Sequence, residues 1–120
     1  MNPPTMRPDE LIAFIRRVAA ENPGSRGTKI LWSTHAIQKL VGEGLDRREV
    51  ECALEVCELV ESYPASHRPL PDCLALGLLH TGHPVHAVIG ADVPQDRILV
   101  ITTYRPSAER WEHDWKTRKS

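Results

Sequence analysis

The stretch that decides the fold is His83–Trp111, HPVHAVIGADVPQDRILVITTYRPSAERW. Within it, Pro84–Ala91 and Arg97–Tyr104 are runs rich in Val, Ile and Thr, separated by a polar turn containing Asp92, Pro94, Gln95 and Asp96. Runs of that composition bounded by turn formers read as an antiparallel strand pair. With a side-chain period of two, His86, Val88 and Gly90 share one face, and Val85, Ala87, Ile89 and Ala91 the other. On the second strand the same rule aligns Ile98, Val100, Thr102 and Tyr104. Neither face is polar throughout, which predicts a sheet covered on both sides. His86 and Tyr104 are the polar exceptions, so chemistry is sought there first.

Working outward, the turn at Thr81-Gly82 joins this pair to a strand over Cys73–Leu79. A further strand over Leu59–Tyr63 precedes it, and the loop between them, Pro64–Asp72, carries His67 and Arg68. Lys29–Trp32 reads as a short strand, after which Ser33 or Thr34 caps a helix that Gly42 or Gly44 stops. Asp46 with Glu49 is a capping pattern, and Leu45 and Val50 occupy the positions of a hydrophobic staple. The buried stripe of that helix is Val50, Ala53, Leu54 and Cys57; Glu51, Glu55 and Glu58 form an acidic edge, solvated or docked by a basic partner. Near the start, Pro8, Asp9 and Glu10 open an amphipathic helix whose Leu11, Phe14, Ile15, Val18 and Ala19 recur at helical spacing until Asn22-Pro23-Gly24, and packing on the sheet is its favoured role. Trp111 and Trp115 are spaced for a short C-terminal helix with a basic tail, Lys116, Arg118 and Lys119. The expectation is an α+β fold: an antiparallel sheet of four to five strands, two helices on one face, an extra N-terminal helix and a short C-terminal helix. Residues 1–28 form the N-terminal helix and linker, and 29–120 the α+β domain.

The 120 residues suffice for one such domain. Three cysteines, an odd number, argue against a disulfide framework and for a reducing compartment. With no long apolar run and no signal-peptide order at the N-terminus, the expected address is the cytoplasm, without membrane contact. A net charge of −1 gives no overall field toward nucleic acid, so any such binding must come from a local patch.

Several constellations carry chemistry. His35 falls in the first turn of its helix, where the dipole favours the neutral imidazole that a general base needs; the structural alternative is a local cap or a bond to the sheet. His80, His83 and His86 resemble a metal comb, but the Thr81-Gly82 turn and opposite strand parity keep them from converging, so no metal is expected. Cys52 and Cys57 point different ways on a helix and read as small core residues. His86, Tyr104 and Arg105 lie near the centre or end of neighbouring strands, and His86 and Tyr104 face the same side if the register allows. Such a group can take a ribose 2′-hydroxyl proton and neutralise phosphate without metal, or it can be a buried His–Tyr hydrogen bond that holds the sheet.

At these residues the chain resembles a known family. STHA, LDRREV, PDCLALG, PVHAVI and ILVITTYRPSAERW follow in the order of a small domain-of-unknown-function family whose members often accompany YgiT-type zinc-finger proteins. That family is placed near the RelE, ParE and BrnT-like toxins, and the likeness spans Lys29 to Lys119 with His35, His86, Tyr104, Pro106 and Trp111 at matching positions. Lys39 fills one of the family's basic places on the first paired helix, whereas Glu43 stands where Arg is usual. The resemblance implies a RelE-like fold and a type II toxin, cleaving mRNA by 2′-hydroxyl attack without metal or other cofactor. A zinc-finger antitoxin would hold it inactive, and a homodimer is a further expected assembly. In that reading His35, His86 and Tyr104 are catalytic, and Lys39, Arg68 and Arg105 bind phosphate. The rival is a non-catalytic protein-binding module of the same fold, with the His and Tyr structural.

Overall fold

The computed structural model describes residues 6–63 and 70–120. Helix α1 (Pro8–Glu21) leads into a short 3₁₀ turn, strand β1 (Ile30–Trp32), helices α2 (Thr34–Glu43) and α3 (Arg47–Leu54), and strands β2 (Glu58–Ser62), β3 (Asp72–Leu78), β4 (Pro84–Asp92) and β5 (Arg97–Tyr104). The strands form one five-stranded sheet in the order β1-β5-β4-β3-β2. All pairings are antiparallel except that of β1, which runs parallel to the first half of β5. The sheet is therefore mixed rather than antiparallel throughout. Strand β1 enters from the far edge and α2 and α3 form the crossover to β2, so its direction is set by the connection and not by its own residues.

Local signals placed the helix ends well. The Ser33 hydroxyl accepts the Ala36 N–H at 2.9 Å, and the Asp46 carboxylate accepts the Glu49 N–H at 3.0 Å. Gly44 stops α2 in the left-handed conformation (φ +64°). Contrary to the capping-box expectation, the Glu49 side chain does not turn back to the cap but pairs with the His80 imidazole.

The two helices after β1 lie on one face of the sheet, and the N-terminal helix packs on that same face. Leu11, Ile15 and Val18 of α1 share a core with Ala36, Leu54, Ala75, Ala87, Ile89, Ile98 and Val100, and Val50, Ala53 and Leu40 close over Val85 beside it. Asn22, buried just past α1, accepts the backbone N–H groups of Lys29 and Ile30, each at 3.0 Å, and so fixes where β1 begins. Arg17 and Lys29 converge on Glu21 and Asp96, which clasps α1 to the turn between β4 and β5.

On the opposite face Leu74, Val88 and Trp111 pack with Tyr63, Ile101, Tyr104 and Trp115. The chain after β5 covers it, but not as a helix. Asp114 accepts the Lys116 and Thr117 amides at 2.9 and 3.0 Å, Trp115 is left-handed (φ +60°), and Trp111 bridges back to Arg118. An aspartate that ties the next amides to its own side chain competes with helical hydrogen bonds, so the indole spacing here serves a tight turn instead.

The expected alternation of β5 also breaks. Ile89 pairs with Val100 and Val88 with Thr102, leaving Ile101 as a bulge. Beyond it, Tyr104 leaves the side of Ile98 and Val100 and stands opposite His86 on the Trp111 face.

Candidate functional site

His86 is the centre of that second face and has no exposed surface. Its Nε2–H donates to the Trp115 carbonyl at 2.6 Å, which leaves Nδ1 to accept from the Tyr104 hydroxyl at 3.1 Å. The indole of Trp111 meets the imidazole edge-on, 4.6 Å between centroids. Burial lowers the His86 pKa from its ordinary value, opposed by the Trp115 hydrogen bond, and burial pushes the Tyr104 phenol up. The pair is a neutral imidazole and a protonated phenol, each using the other. Both ring nitrogens are committed, so the geometry gives His86 the structural half of the alternative posed by the sequence.

His35 is in a different position. It lies exposed on the first turn of α2, its Nε2 3.0 Å from the Thr102 hydroxyl. One helical turn further, Lys39 projects from the same side of the helix. Lys39 lines an open cleft of about 280 Å³ with Glu43, Tyr104, Arg105, Ser107, Arg110, Trp111 and Arg118. The cleft thus lies between the exposed side of α2, the end of β5 and the irregular C-terminal segment.

Its cations are not equivalent. The Arg105 guanidinium donates to the Glu43 and Gly44 carbonyls at 2.9 and 3.1 Å, which satisfies the end of α2 and latches that helix to β5. Arg118 grips Glu61 through two hydrogen bonds of 2.8 and 3.0 Å and lies over the Trp111 ring. That pairing raises the Arg118 pKa and lowers the Glu61 carboxyl. Arg110 makes no ion pair among the described residues, and Lys39 makes no more than a loose one with Glu43, at 3.9 Å. Lys39 and Arg110 are therefore the cations most free to meet a ligand. Arg68, expected to bind phosphate, lies outside the described residues.

Of the residues singled out in the sequence, Lys39, Tyr104 and Arg105 line the cleft, His35 is not among its lining residues and His86 is buried, while the lining residues Arg110 and Arg118 were given no site role there. The basic tail was visible, but only the turn at Asp114 carries Arg118 back over the sheet. The histidines of the apparent metal comb make separate contacts: His80 meets Glu49, His83 meets the Thr81 hydroxyl at 2.8 Å, and His86 is sealed. No group of three or more His, Cys, Asp or Glu among the described residues is placed to hold a metal ion. Cys57 and Cys73 are buried, and burial pushes their thiols up to about 12, leaving them protonated. Cys52, expected in the core, is instead exposed on α3.

No described helix is long and apolar enough to cross a membrane. No curated protein and no solved structure matches the chain. A family model does match, over residues 32–105, from the end of β1 to the residue after β5. With most of its length covered by that model, the chain belongs to the domain-of-unknown-function family DUF4258.

Proposed function

We propose that this protein is a toxin-type, RNA-directed ribonuclease with a RelE-like fold that acts without metal and is restrained by a zinc-finger partner. The observation that carries the reading is the cleft itself. On a chain of net charge −1, Lys39, Arg105, Arg110 and Arg118 line one concavity beside a tyrosine. That is the local basic patch without which a near-neutral protein has no means of holding a phosphodiester. The accessible imidazole, His35, takes the 2′-hydroxyl proton as the 2′-oxygen attacks phosphorus, and Lys39 and Arg110 neutralise the phosphorane so formed. Its collapse breaks the bond to the 5′-oxygen, which leaves with a proton from water and yields the 2′,3′-cyclic phosphate. His86 has no part in the proton transfers; it positions Tyr104 and the C-terminal turn that forms one wall of the cleft.

A second reading is favoured by the sealing of His86: a binding module that holds RNA in the same cleft and cleaves nothing. Incubating end-labelled RNA with the protein in EDTA separates the two. The nuclease reading expects fragments with 2′,3′-cyclic phosphate ends and a loss of about a hundredfold or more on His35→Ala, with RNA binding retained. Binding without cleavage by the wild type establishes the module. Cleavage undiminished by His35→Ala contradicts the role given to that imidazole.

A further inference from the structure

Glu43 is an odd residue for its place. It is the last residue of α2, where the negative end of the helix dipole disfavours a carboxylate. Its side chain is turned into the basic cleft, with Oε1 accepting the Arg105 backbone N–H at 3.1 Å and lying 3.9 Å from the Lys39 ammonium. Arg105 has just left β5, so its amide has no strand partner and depends on this contact. The contact is also fixed in place: the Arg105 guanidinium holds the Glu43 and Gly44 carbonyls, so the carboxylate and the amide it meets are tied together at the backbone. A backbone N–H and an ammonium converging on one anionic oxygen form an oxyanion site already filled from within.

We infer that Glu43 is an internal anion occupying the phosphate position of the cleft, and that an incoming phosphate group binds by displacing it. This rests on the reading of the cleft as an anion site but not on cleavage. Two consequences follow from the charge. The carboxylate weakens binding of every phosphate ligand, whatever its base sequence, by competing for Lys39 and the Arg105 amide. Replacing it with the neutral, isosteric amide keeps an acceptor for the Arg105 N–H while removing the competing charge.

The test compares wild type, Glu43→Gln, Lys39→Gln and the double variant, titrated with inorganic pyrophosphate and with a short single-stranded RNA. Removing one negative charge beside a bound phosphate is worth about tenfold in affinity at the dielectric of a half-exposed site. Glu43→Gln is therefore expected to bind both probes about tenfold more tightly, with unchanged or raised melting temperature and a smaller gain when Lys39 is also replaced. Glu43→Gln that binds no tighter, or a gain undiminished in the Lys39→Gln background, overturns the inference. The outcomes also separate it from the RNA reading. Tighter pyrophosphate binding with no RNA binding keeps the internal anion and removes the RNA. Equal RNA affinity in both proteins keeps the cleft and removes the role of Glu43. No binding of either probe by any of the proteins removes both.

Discussion

His86 illustrates why a polar residue in a strand attracts functional readings that its surroundings then decide. A buried imidazole is tolerated only when both nitrogens are satisfied, and here a phenol and a carbonyl do so. Truncation removes the ring from under Trp111 and strands both partners, so His86→Ala is expected to cost about 3 kcal/mol by chemical denaturation. The ring also couples folding to pH. Its folded pKa lies below the ordinary 6.5, so the unfolded chain binds the proton more readily. Stability should hold above about pH 6.5 and fall as the pH drops below it toward the folded value. Melting curves of wild type and His86→Leu between pH 7.5 and about 5 test this. The variant should lose part of the acid sensitivity, and a variant as acid-sensitive as the wild type refutes the linkage. Of the site residues, His86 and Tyr104 were recognisable as polar exceptions in apolar runs and their hydrogen bond was one of two alternatives, but the register that realises it was not legible, because it depends on the bulge at Ile101.

Among the elements, what was legible was what neighbouring residues determine. Ser33, Asp46 and Gly44 cap helices through contacts within a few residues, and the strands appear within a residue or two of where composition puts them. The features that escaped depend on distant partners. The parallel pairing of β1 follows from the crossover, and the C-terminal turn is pinned by Glu61 and by His86. Gly77 shows the same contrast. Nothing in the LALGLL run marks its glycine, yet a Cβ there would lie 2.8 Å from that of Ala53, so α3 packs on β3 through the missing side chain. Gly77→Ala should therefore destabilise by about 1–3 kcal/mol by overpacking. Pairing it with Ala53→Gly should recover part of that loss, and equal stability of wild type and Gly77→Ala would mean the helix yields freely.

At the scale of the whole molecule, the division between the two sheet faces organises the protein. One face is built over by three helices and holds most of the apolar core. The other is covered by a single irregular segment that carries cations back over a tyrosine and leaves an opening against α2. Near-neutral overall charge hides that asymmetry: the basic side chains gather by tertiary contact, and acidic Glu43 and Glu61 temper them. The measurement that tests this most directly is single-stranded RNA binding as a function of salt, for wild type, Lys39→Gln and Arg110→Gln. Wild-type affinity should fall linearly on logarithmic axes, and each replacement should weaken binding to all sequences alike and reduce the slope by about 0.7, the value for one lost phosphate contact on a single strand. RNA affinity that is absent, insensitive to salt, or unchanged by both replacements would contradict the account.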